Sequence, residues 1–115
     1  MTIEKIKEIL SAEVMCNPQL LSSEVHTACG SDMMSDVLAF VKEQAALLTG
    51  LVNPQVIRTA MMMDMRCIVF VRDKTPSEEM IELAREADIV LLSSPKRMFD
   101  ACGILYKSGL CPNEV

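Results

Sequence analysis

Ala45-Ala46-Leu47-Leu48-Thr49-Gly50-Leu51-Val52-Asn53-Pro54-Gln55-Val56-Ile57 is the stretch whose reading decides the fold. Its first five residues suit a short strand, Gly50 marks the end of it, and Asn53-Pro54 opens a helix. The asparagine oxygen can accept from the free N–H groups of a first helical turn. Proline at the next position gives up an N–H that has no intrahelical partner there. The same spelling returns at Thr75-Pro76, after Cys67-Ile68-Val69-Phe70-Val71, and at Ser94-Pro95, after Ile89-Val90-Leu91-Leu92. Gly30-Ser31-Asp32 is a version without proline. Each junction predicts strand, tight turn, helix start.

The rest of the chain fits that rhythm. A first helix is predicted over residues 2–10, with Ile3, Ile6, Ile9 and Leu10 on one face. A strand follows over residues 12–16, closed by the turn signal Asn17-Pro18, and a second strand over 24–29. Helices are predicted over 32–43, 54–63, 76–87 and 95–107, and strands over 45–49, 67–71 and 89–92. Thr75 with Glu78 spells a capping box for the fourth helix, and Gly109 stops the last. Short apolar strands separated by helices describe a mostly parallel sheet flanked by helices on both faces. The expectation is a single three-layer α/β domain over residues 1–115.

A chain of 115 residues, half of them hydrophobic, can bury roughly two thirds of its unfolded surface in one core. No apolar run approaches the ~20 residues of a membrane span. The charged, helically patterned N-terminus is unlike a signal peptide, so a cytoplasmic location is expected. A net charge of −5, no Trp and one Tyr leave neither the basic patch nor the stacking aromatics that nucleic acid needs. Cys16, Cys29, Cys67, Cys102 and Cys111 show no metal-ligand spacing and no disulfide framework. They read as reduced thiols, buried except for Cys111. No cofactor is implied.

Parallel strands that feed helices gather the helix N-termini at the carboxyl edge of the sheet, where anionic ligands bind near a topological switch point. The residues placed there by the predicted elements include Ser31, Asp32, Thr49, Gly50, Asn53, Arg72, Lys74, Ser93 and Ser94. They are the candidate ligand site, and good helix caps and turns explain the same residues. Neither a phosphate loop nor a Gly-x-Gly-x-x-Gly fingerprint is present. Asp32 and Asp36, four apart, could share a helical face and hold Mg²⁺. Capping by Ser31 or Asp32 accounts for them as well. His26 has no acidic or serine partner nearby in sequence. No nucleophile, base and oxyanion set can be assembled from spacing, so no catalysis is expected.

The methionines point to a contact surface. In the helix from Pro54, Val56, Ile57, Ala60, Met61 and Met63 already make a broad apolar face. Met62 falls beside Gln55 and Thr59, on the side expected to meet water. The helix from Asp32 carries Met33 and Met34 on two adjacent apolar stripes. Helices more widely apolar than one sheet face requires cover a partner as well, and Met suits adaptable contacts. Met33, Met34 and Met62 are therefore candidate homodimer contacts.

From Gly30-Ser31-Asp32-Met33-Met34-Ser35-Asp36-Val37-Leu38-Ala39 through Leu47-Leu48-Thr49-Gly50, Asn53-Pro54-Gln55-Val56-Ile57 and Cys67–Val71 to Leu91-Leu92-Ser93-Ser94 and Leu105-Tyr106, the chain resembles the DRTGG domain family. The likeness spans residues 3–110. Two departures stand out. The family's Asp-Arg pair after a glycine is replaced by Leu51-Val52 after Gly50. Its Thr-Gly-Gly before a proline is replaced by Asp73-Lys74-Thr75 before Pro76. The resemblance implies a fold similar to the amino-terminal domain of HPr kinase/phosphorylase. It also implies a regulatory or dimer-forming role beside catalytic domains, with a protein partner possible, and no activity of its own. The alternative is a sensor of a small anionic metabolite or nucleotide at the carboxyl edge.

Overall fold

The computed structural model describes residues 1–40 and 44–110. The Thr2 hydroxyl accepts from the Lys5 N–H at 3.1 Å and so opens α1 (Ile3–Ile9), which buries Ile3 and Ile6. Strand β1 (Glu13–Cys16) follows, then a 3₁₀ turn at Pro18–Leu20. Next come β2 (Thr27–Gly30), α2 (Met34–Phe40), β3 (Ala45–Thr49) and α3 (Pro54–Met62). The chain closes with β4 (Cys67–Phe70), α4 (Glu78–Ala87), β5 (Val90–Ser93) and α5 (Met98–Lys107).

The five strands form one sheet in the order β1-β5-β4-β3-β2, with β2 to β5 mutually parallel and β1 antiparallel on β5. Successive parallel strands step in one direction across the sheet. Right-handed crossovers then put all three connecting helices on one face, where α3 packs between α2 and α4. The other face is covered by α1 and α5. Along each central strand, alternate residues serve opposite cores. Ala46, Leu48, Val69 and Leu92 meet Ile3, Ile6, Ala101 and Leu105. Leu47, Ile68, Phe70 and Leu91 meet Val56, Ile57, Met80 and Ala84. The three-layer, mostly parallel architecture is the one the sequence predicts.

Several local expectations are corrected. The strand order never reverses between β2 and β5, so the sheet offers no topological switch point there. The second strand begins at Thr27, not Glu24, because residues 24 and 25 pair with the N-terminus: Glu24 bridges Thr2, and Val25 N–H donates to Met1 O at 2.9 Å. His26 precedes that strand and is exposed. Thr75 does not cap α4; the cap is Ser77, whose hydroxyl accepts from Met80 N–H at 3.3 Å. Ser94 does not cap α5, which starts at Met98, three residues beyond the predicted Pro95, behind Arg97 and without a side-chain cap. Its hydroxyl turns inward to Leu10 O instead. Only Asn53-Pro54 acts as spelled, with Asn53 Oδ1 accepting from Gln55 N–H at 2.9 Å. In α3 it is Thr59 that is buried and Met61 that is half-exposed. The predicted end of the second helix at 41–43, and Cys111, lie outside the described residues.

Candidate functional site

Three loops meet at the carboxyl edge. After β2, Ser31 N–H extends the ladder to Leu48 O at 3.0 Å, and the Ser31 hydroxyl accepts from Met33 N–H at 2.9 Å. This tight turn delays the start of α2 to Met34. It leaves Asp32 as a link between loops rather than a helix cap. Asp32 Oδ1 accepts from the Thr49 hydroxyl at 2.9 Å and from Gly50 N–H at 2.7 Å. Thr49 is fully buried, and its Oγ1 also accepts from Leu51 N–H at 3.1 Å.

The loop after β4 supplies cations. Arg72 and Asp73 both take left-handed backbone angles, with φ of 59° each, and Lys74 N–H donates to Val71 O at 3.2 Å. Two positive φ values inside such a turn are the signature of type I′, which Asn and Gly adopt more readily than Arg. The turn is pinned from the β5 side: Arg72 N–H donates to Lys96 O at 2.8 Å, and Asp73 N–H to Ser94 O at 2.9 Å. It lays the Arg72 guanidinium across Gly50, where an added Cβ would collide with it. A side chain at position 50 would have to push the exposed guanidinium aside, so glycine is what lets it lie this close to the backbone.

The Asp32 carboxyl is held below its ordinary range, chiefly by the Gly50 N–H bond. The Thr49 hydroxyl and the charges of Arg72 and Lys74 add to the effect, while partial burial opposes it. Donors aimed at the ionised form and nearby positive charge both favour it. Among the described residues the one ion pair is the exposed Arg85–Glu82 couple on α4. Arg72 is thus near Asp32 without an ion pair to it.

The structure brings Asp32, Thr49, Gly50 and Arg72 together, with Lys74 close enough to bias the Asp32 charge. The other candidates go elsewhere. Ser93 Oγ donates to Lys74 O at 2.7 Å and Ser94 Oγ to Leu10 O at 2.7 Å, so both hydroxyls are spent on the backbone. Asn53 caps α3, and Ser31 serves its own turn. Asp36 lies inside α2 while Asp32 precedes it, so the two do not share a helical face. Among the described residues no cluster of three His, Cys, Asp or Glu could hold a metal. Burial pushes the Cys67 thiol up to about 12 and raises those of Cys16, Cys29 and Cys102; Cys16 and Cys67 are buried as predicted, whereas Cys29 and Cys102 are only half-buried.

Met33 and Met62 are 60% and 70% exposed. Met34 is half-buried against the core beneath α3. Sequence reading missed Asn17, a buried residue with φ 58° whose amide donates to Ala84 O at 3.1 Å and Ile89 O at 2.8 Å, locking the end of α4 to the start of β5. The Asn-Pro turn signal marked the place; nothing in it revealed the partners.

The DRTGG domain family profile matches residues 5–108, and the chain belongs to that family. Among solved structures it is similar to the CBS and DRTGG domains of the regulatory region of a Clostridium perfringens pyrophosphatase, complexed with the activator diadenosine tetraphosphate. The TM-score is 0.73 at 21% identity, over 93% of this chain and 46% of that one. The likeness is one of fold, and this chain spans less than half of its neighbour. No match was found among curated proteins. Among the described residues no helix is long and apolar enough to cross a membrane.

Proposed function

We propose that this DRTGG domain is a small regulatory or protein-interaction domain, without catalysis of its own, that acts as a cytoplasmic homodimer. The observation that carries the reading is the apolar surface left on the crossover-helix side of the sheet. Met33 and Met62 are mostly exposed there, with Leu38 and Met61 at 40% and 49%. Isolated exposed apolar residues are ordinary, but four large ones, contributed by the adjacent helices α2 and α3 and by the turn just before α2, suit a contact surface. Methionine adapts to a partner's shape without demanding one geometry. Sedimentation equilibrium of the wild-type chain at micromolar concentration is the test. A dimer that Met62→Glu dissociates supports the reading, and monomer alone refutes the dimer.

A second reading has its own support. Gly50 N–H, the Thr49 hydroxyl, Arg72 and Lys74 form a donor-rich, positively biased corner at the carboxyl edge. The structural neighbour was crystallised with a polyphosphate activator. A sensor of a small anionic metabolite or nucleotide would use such a corner. A ligand at a hundredfold excess over its dissociation constant stabilises by about 2.7 kcal/mol, a shift that a thermal-melt screen of nucleotides and phosphometabolites detects. A screen without any shift at millimolar ligand refutes it. Neither reading calls for nucleic acid, a membrane or a bound cofactor.

A further inference from the structure

We infer that Asp32 is the built-in occupant of an oxyanion site, and that a phosphate-class anion binds this chain by displacing its carboxylate from Gly50 and Thr49. The inference rests on the anion-sensor reading and adds to it what keeps the site closed.

The first ground is the donor set. A backbone N–H and a buried hydroxyl converge on one point, and Asp32 Oδ1 takes both bonds, at 2.7 and 2.9 Å. These are the groups that bind an oxyanion of any parentage. The second ground is Arg72. Its backbone is held in a left-handed turn by Lys96 O, and its guanidinium is laid over Gly50. Among the described residues it nevertheless forms no ion pair. A carboxylate is planar and reaches the two donors from one side. A tetrahedral oxyanion has further oxygens to offer, and at the same donors it could engage the guanidinium and Lys74 as well. The third ground is access: Asp32, Arg72 and Lys74 are all exposed, so the exchange requires no opening of the core.

Displacement has a structural consequence. Asp32 is followed directly by Met33 and the first turn of α2. Freeing its carboxylate releases the segment that carries an exposed methionine, which would couple anion occupancy to the proposed contact surface. Two charge-assisted bonds to an internal competitor reduce the apparent affinity for an external anion by the fraction of time the site is vacant.

The experiment is titration of inorganic phosphate at constant ionic strength into wild type, Asp32→Ala, Asp32→Asn and the double variant Asp32→Ala/Arg72→Gln. The Gly50 amide resonance is followed by NMR, and circular dichroism checks folding. Asp32→Ala should bind at least about tenfold more tightly than wild type, and the double variant should lose that gain. Asp32→Asn keeps an acceptor oxygen without the charge and should fall between; it also serves if the alanine variant fails to fold. Equal affinity of wild type and Asp32→Ala overturns the displacement while leaving an anion site standing. No binding by any folded variant overturns the site itself and leaves Asp32 as a loop tie. A gain that survives Arg72→Gln reduces the effect to net charge and also overturns it.

Discussion

The loop leaving β3 and the loop leaving β5 end parallel strands of the same sheet, one on either side of β4, and both present a polar residue followed by proline. The first keeps its polar group local: Asn53 turns back on Gln55 N–H and starts a helix at the surface. The second sends its group inward. Ser94 is fully buried, donates to Leu10 O at 2.7 Å and accepts from Lys96 N–H at 3.1 Å. It joins the end of α1 to the root of α5, 84 residues apart in sequence. A side chain that can cap is equally able to satisfy a stranded carbonyl, and burial decides which need is met. Leu10 is fully buried, so its carbonyl lies out of reach of bulk solvent and claims the hydroxyl.

The sharpest way to break this contrast is Ser94→Ala. Removing the hydroxyl leaves Leu10 O buried and unsatisfied, which costs about 1–3 kcal/mol. A lowered urea midpoint at unchanged m-value would show it. A loss below about 0.5 kcal/mol would mean that the carbonyl finds water or another donor. Asn53→Ala comes next. It removes a solvent-side cap and should cost about 1 kcal/mol in the same assay. The order of the two matters more than either value: a larger loss at Asn53 would reverse the assignment of surface cap and core anchor.

The same contrast sets how much was legible in the sequence. The alternation of β and α, the exact extent of β3, the Asn53 cap and the final Gly109 stop all follow from local chemistry, and the structure has them. Gly109 indeed sits at φ 111°, beyond the last turn of α5. At two of the misread junctions a distant group competes for the polar atom. Ser94 answers to Leu10, and Asp32 answers to Thr49 and Gly50. The missing switch point belongs to the same class, since strand order is a property of the whole sheet. Of the candidate site, the grouping of Asp32, Thr49, Gly50 and Arg72 at one edge was readable from predicted strand ends. That Arg72 presses on Gly50, and that Ser93 and Asn53 are spent elsewhere, was not.

Asp32 provides a test between the two extremes, because it is a cross-loop tie at the surface. Its folded-state pKa is lowered, so its contribution is present above the unfolded carboxyl value, about 3.9, and is lost as pH falls through the folded value. Wild type should therefore lose more stability than Asp32→Asn as the pH is lowered from 5 toward 2. The difference should be small, since solvent screens an exposed carboxylate. Urea midpoints of both proteins across that range measure it. Parallel pH profiles would show that the Gly50 and Thr49 bonds bring no net preference for the charged form.

The smallest expected effect is also the most discriminating for the third polar-proline junction. Thr75 is exposed and lies ahead of the buried Pro76, while Ser77 accepts from Met80 N–H and opens α4. Thr75→Ala should fall within about ±0.5 kcal/mol of wild type, the range of surface changes that touch no cap. Ser77→Ala should cost about 1 kcal/mol, the usual penalty for a lost N-cap. The reason lies in where proline is placed. Pro76 is packed into the structure two residues before α4 begins, so it fixes the approach of the chain and not the first helical turn. Were Thr75→Ala to cost as much as Ser77→Ala, the helix in solution would start two residues earlier than described. The Thr75-Pro76 pair would then belong with Asn53-Pro54, and Ser94 alone would stand apart.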